Sequence, residues 1–113
     1  MSQSVSLLTL SVRASATLTA QRFVSPTGGL PTAGGNALGV ARTDGAEGDL
    51  VPVDVIGTAV VEAGAAIPAG TAVEVDAQGR AVPQSTGVTL GRLAPEAVAA
   101  AAGDRVEVIL IAN

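Results

Sequence analysis

The side chains of this chain that could do chemistry are carboxylates, hydroxyls and arginines. Asp44, Glu47 and Asp49 crowd one glycine-rich turn, with Asp54 close behind. Oxygen donors of this kind are what a hard cation takes as ligands. The run does not follow the D-x-[DN]-x-[DN]-G order of an EF-hand loop, and acidic residues in such a turn are ordinarily solvated, so no metal site is expected. Paired carboxylates could serve glycoside hydrolysis, but a sugar cleft is usually lined with aromatic side chains and Phe23 is the only aromatic residue. The sequence has no His, Cys, Trp or Tyr, and all six basic residues are arginines. That removes the Ser–His–Asp and Ser–Lys arrangements, thiolate and Schiff-base nucleophiles, and the usual ligand sets for zinc, copper, haem and iron–sulfur clusters. Gly28-Gly29 and Gly34-Gly35 match neither a P-loop nor a G-x-G-x-x-G turn opening a helix. No catalytic residue and no cofactor are expected.

The stretch Gly64-Ala65-Ala66-Ile67-Pro68-Ala69-Gly70-Thr71-Ala72-Val73 is similar to small β domains that carry biotin or lipoate. Those need an acceptor lysine, so carrier function is excluded. It is also similar to clip-like sugar- or ligand-binding domains related to antifreeze proteins, which stands as the alternative reading.

The elements that would position these groups are mostly strands. From Leu8 to Ala20 apolar and polar residues alternate without a break, the period of a strand with one wet face. A bend is expected near Arg13–Ser15, with residues 1–6 as a loose arm. Turn signals follow at Ser25–Gly29 and Thr32–Asn36, then a short apolar strand over Ala37–Ala41 and the acidic turn at Thr43–Asp49. Val51, Val53 and Val55 alternate around Pro52, which lacks an amide donor and marks an edge or bulged strand. Gly57 separates this strand from Thr58–Val61. Thr71–Val75 and Arg80–Val82 flank a hairpin turn at Asp76–Gly79, and Val88, Leu90 and Leu93 suggest another strand. Pro95–Ala102 reads as one short helix: proline at its first position, an alanine run, and Gly103 as the stop. Arg105–Ile111 closes the chain as a strand buried on both sides, because Ile109 and Ile111 alternate with Val106, Val108 and Leu110. Two similar passages, Leu38–Val51 and Leu90–Val106, each run from a strand through a Gly-Asp turn into another strand. The expected fold is mainly β, a small barrel or clip-like sandwich with one short α-helix near the C-terminus.

With 113 residues the chain makes one domain. It carries 48% hydrophobic and 14% charged residues and a net charge of −4. Scattered arginines and one phenylalanine do not make a nucleic-acid footprint. The apolar residues are interrupted too often for a spanning helix, and Met1–Ser6 lacks the basic start of a secretory signal. No nucleic-acid or membrane partner is expected, and the chain is expected to stay in the cytoplasm in which it is made. A core of Val, Leu, Ile and Ala is thin at this size, which suggests that an oligomer or a larger surface completes the burial.

The ordered series of short motifs resembles the small capsid cement, or head decoration, proteins of tailed bacteriophages. Residues 16–24 (ATLTAQRFV) lead to 38–49 (LGVARTDGAEGD), then Val51-Pro52-Val53, Gly57-Thr58-Ala59 and 62–67 (EAGAAI). Ala69–Val73 runs into 76–82 (DAQGRAV), and the series ends with Leu90–Leu93, the alanine-rich segment and 103–108 (GDRVEV). The resemblance covers nearly the whole length after about residue 7. It implies a β-rich clip-like or tulip-like fold and a homotrimer on the outer surface of the virion capsid. Such a trimer sits at threefold or quasi-threefold positions and bridges neighbouring major capsid proteins. It implies no catalytic residues. Residues 1–12 are then an N-terminal arm or first strand and 13–113 the decoration domain. Val5, Leu7, Leu8, Leu10 and Val12 are the candidate capsid contacts, because the run Val5–Val12 is apolar and uncharged and an exposed strand can pair with a partner's sheet edge. The rival placement makes the run an interior strand. The thin core also predicts that the unfolding midpoint of the isolated protein rises with protein concentration in calorimetry.

Overall fold

Valine at every second position builds the strand on which the others assemble. In a computed structural model that describes residues 5–95, 98–99 and 101–111, β4 (Leu50–Glu62) buries Val51, Val53, Val55, Ala59 and Val61. This is the period of two that one covered sheet face requires. The sequence suggested a break at Gly57. The strand instead runs through it, with Gly57 at φ 108°, a region that glycine enters without steric cost. Pro52 does not lie on an edge: its backbone pairs with Ser11 on one side and its carbonyl accepts the Arg42 amide on the other.

The remaining strands are β1 (Val5–Arg13), β2 (Phe23–Val24), β3 (Gly39–Ala41), β5 (Ala72–Val75), β6 (Ala81–Pro83), β7 (Gly91–Leu93) and β8 (Arg105–Leu110). Their order is β2-β3-β4-β8-β7-β5-β6, and β1 lies off this path, paired with β4. The path bends back on itself. The Phe23 amide donates to the Gly79 carbonyl at 2.7 Å, the Gly64 amide donates to Ala81 at 2.7 Å, and Ala63 and Ala81 form a parallel bridge. These few bonds join the two ends, giving a nearly closed seven-strand antiparallel barrel rather than a sandwich.

The barrel interior holds Phe23, Val61, Ile67, Val73, Val75, Leu90, Leu93, Val106 and Val108. A second, smaller cluster lies beside it: Ala14, Leu18, Val24, Ala41, Val51, Val53 and Val55, with Val12 and Leu38 packed against it. β2 is the wall between them, Phe23 facing one cluster and Val24 the other. Each fully buried aliphatic side chain contributes about 1.5–3 kcal/mol, so many small contributions replace the few large ones that aromatic residues would make.

Three further sequence expectations change. Pro95–Ala102 is not a helix among its described residues. The Ala99 amide and the Ile67 carbonyl bond at 3.1 Å, and the Ile67 amide returns a bond to Ala99 at 2.9 Å. The other residues of that span, 96, 97 and 100, lie outside the described set. Two turns of helix are too short for alanine propensity to prevail, and the bridge buries Ala99 and Ile67 together. β8 is not buried on both sides: Val106 and Val108 point inward, while Ile109 and Ile111 are exposed. The long alternation from Leu8 leaves the strand after Arg13, as the expected bend requires, but its even-numbered face is not uniformly covered. Leu8 and Leu10 are exposed and Val12 is half-buried; Ala14 and Leu18 enter the core beyond the strand.

Side-chain hydrogen bonds fix register and loops. Thr9 Oγ1 donates to Asp54 Oδ1 at 2.7 Å, and Arg42 Nε lies 3.7 Å from Asp54 Oδ2. Asp54 is 2% exposed, and a buried carboxylate needs such partners. Thr9 sits next to two register irregularities, Ser6/Leu8 and Leu8/Thr9, so this bond holds β1 where its ladder is least regular. The Asp76 carboxylate closes the β5–β6 hairpin, accepting from the Gln78 and Arg80 amides and pairing with Arg80 Nε at 2.9 Å. Glu74 accepts from the Ser85 amide at 2.7 Å and the Gly87 amide at 3.0 Å, which organises the loop after β6.

Thr9→Val leaves Asp54 without its hydroxyl donor. It should cost about 1–2 kcal/mol and speed hydrogen exchange in β1 while leaving β8 amides unchanged. The Ser85 amide, then the Gly87 amide, hold the Glu74 carboxyl below its ordinary value of 4.5 against a weaker opposing desolvation, and the Ser85 hydroxyl adds slightly. A lowered folded value means that the contribution is present above the ordinary value and lost as pH falls through the folded one. Glu74→Gln should therefore melt lower than the native chain at neutral pH, the gap closing as pH falls below the ordinary carboxylate value.

Candidate contact surface

The carboxylates that the sequence singled out are not assembled into a site. Asp44 Oδ1 accepts the Ala20 amide at 2.7 Å, tying the turn to the segment after Leu18, and Asp49 Oδ2 accepts the Ala46 amide at 3.0 Å, closing its own loop. Asp54 faces Thr9 and Arg42, and Glu47 is exposed. Among the described residues no three acidic side chains come together as a metal would need. Glu62 bridges two arginines: its Oε1 lies 3.2 Å from both Arg22 and Arg105, clasping β4 to β8 and to the residue before β2. This is structural cross-linking of the barrel wall. The paired glycines serve close packing. A side chain on Gly28 would strike the Arg13 carbonyl, and Gly34 packs against Gly87.

The distinctive surface is apolar. Leu7 is 73% exposed, Leu8 42% and Leu10 40%. Such exposure of large aliphatic residues on one strand is an interaction feature rather than scatter. The register irregularities around Leu8 rotate the strand so that the adjacent Leu7 and Leu8 both reach solvent. Val12 turns partly into the second cluster. Val5 pairs with Thr58 through its backbone, and its side chain lies outside what the structure describes.

β1 is also the open margin of the sheet. Its pairing among the described residues is with β4. Natural edge strands are usually blunted by charge, proline or a covering loop, and Leu7–Val12 carries no charged residue and no proline.

The structure adds Ile56, which the sequence did not single out, and Ile109 and Ile111, which it placed in a strand buried on both sides. β1 and β8 meet at Thr58, which pairs with Val5 and with Ile109. Around that junction Leu7, Ile56, Thr58, Ile109 and Leu110 line an open apolar notch. Ile56 and Ile109 are each 39% exposed, and Ile111 is 44% exposed beyond them. The sequence signal was the run of aliphatic residues Val108–Ile111, which fits a two-faced core strand and a half-exposed one equally well. Arginines are spread around the barrel in individual pairs with carboxylates and carbonyls, so no basic face forms.

The sequence matches the family model "Phage cement protein" over residues 2–110. No curated protein sequence matches. Among solved structures, the fold is similar to the crystal structure of the head fiber gp8.5 N base of bacteriophage phi29. The TM-score is 0.70 at 21% identity, covering 92% of this chain and 93% of that one. At that identity the likeness is one of fold. The family match spans almost the whole chain. The chain belongs to the phage cement protein family and is a structural, non-enzymatic protein of the phage capsid surface.

Proposed function

We propose that the protein sits as a homotrimer on the outer face of the capsid, at threefold or quasi-threefold positions, and cements neighbouring major capsid proteins through β1. Residues 1–12 act as the contact arm or strand, and 13–113 form the domain that holds it in place. Val5, Leu7, Leu8, Leu10 and Val12 are the proposed contact residues. The observation that carries this reading is the exposure of Leu7, Leu8 and Leu10 on a nine-residue strand at the sheet margin. Apolar side chains supply non-directional affinity, and the open backbone edge supplies hydrogen bonds to an extended segment of the partner. Nothing comparable supports a carbohydrate-binding domain: Phe23, the one aromatic, is 2% exposed and unavailable to stack on a sugar.

Co-sedimentation with expanded capsids lacking the protein tests the reading. The double variant Leu7→Asp/Leu10→Asp should keep its fold by circular dichroism and bind at least about tenfold more weakly. Deletion of residues 2–12 should do the same or worse. Undiminished binding by both variants would remove β1 from the contact.

A further inference from the structure

The notch at Thr58 and the acidic turn before β4 are complementary, and they lie at opposite ends of the β1–β4 pairing. Thr58, Ile109 and Arg92 lie in register across β4, β8 and β7. Directly opposed residues share a sheet face, and since Val108 and Leu93 point into the barrel, Ile109 and Arg92 stand side by side on the outside. Arg92 is exposed, reaches only the Gly70 carbonyl at 3.5 Å, and has no ion pair among the described residues. Glu107, one step along the same face of β8, does not close one with it. The notch is therefore an apolar seat with an uncommitted cation at its rim.

The turn offers the opposite. Leu50 is 61% exposed. It follows Glu47, an exposed carboxylate with no hydrogen bond or ion pair among the described residues, and Asp49, which is already tied to Ala46. Leu50 pairs with Arg13 at one end of the β1–β4 ribbon and Thr58 pairs with Val5 at the other. Eight residues of strand separate them, about 26 Å at 3.3 Å per residue. One molecule cannot join its own turn to its own notch.

We infer that the notch receives the Glu47–Leu50 turn of a second copy, Leu50 packing on Ile56 and Ile109 and Glu47 pairing with Arg92. The contact is head to tail, so each copy uses one surface to give and a different one to receive. Repeated around a rotation axis it closes a ring without two-fold symmetry between neighbours. The inference rests on the proposed self-association and supplies its contact; it does not depend on the capsid seat.

Sedimentation velocity on the full chain, without capsids, tests it. Leu50→Asp and Ile109→Asp should each weaken self-association roughly tenfold or more. Mixed together they should form a one-to-one heterodimer, because one retains the notch and the other the turn. Glu47→Arg and Arg92→Glu should each weaken association, and the double variant Glu47→Arg/Arg92→Glu should restore it, which a misfolded protein could not do. A native chain that stays monomeric at every concentration overturns both this contact and the proposed trimer. A native chain that associates while these variants associate equally well, or a charge swap that does not restore assembly, overturns this contact and leaves the trimer standing.

Discussion

The backbone of β4 is the constraint on which the rest of the molecule depends. Its first half carries β1, its second half carries β8, and β3 joins it at Val53 and Asp54. Every buried strand amide and carbonyl needs a partner, and β4 supplies partners to three strands at once. Its odd-numbered side chains fill both core clusters: Val51, Val53 and Val55 in the smaller, Ala59 and Val61 in the larger. A shift of one residue would turn all of them to solvent. The Thr9–Asp54 bond and the Arg22–Glu62–Arg105 clasp tie the neighbours to this register.

This arrangement separates stability from contact. The barrel closes through β2 and β6 and encloses the larger cluster, in which β1 takes no part. β1 is thus an addition to the sheet margin whose leucines can remain exposed. Apolar area and an open edge can give affinity for a partner without any reactive group. The absence of His, Cys and Lys is consistent with that work, which needs no proton shuttle and no nucleophile.

Much of the strand pattern was legible along the chain. Val73 and Val75 flanked by the Asp76–Gly79 turn identified a hairpin, because turn chemistry is local: Gly79 takes φ 85° and Asp76 caps the turn with its own carboxylate. The alanine segment misled for a related reason. Local propensity favours helix there, but Ile67, over thirty residues away in sequence, takes the backbone bonds of Ala99, and no local signal reports that partner. The exposed strand β1 was partly legible. Val5–Val12 stood out as apolar and uncharged, yet such a run fits an exposed strand and an interior one equally well. Ile56, Ile109 and Ile111 were hidden because an aliphatic run does not reveal which face is covered.

The sequence by itself determined that the chain is β-rich, that it lacks the side chains for common catalysis and metal binding, and that its ordered motifs resemble those of capsid cement proteins. These follow from inventory and from periodicities of a few residues. Only the tertiary structure decided that the strands close into a barrel and that β1 stays outside it. It alone decided that β1 and β8 meet at Thr58, leaving an apolar notch beside Arg92. The physical reason is that burial belongs to a pair of surfaces. Ile109 is apolar wherever it stands, and only the strands around it determine whether that face is core or is left for a partner.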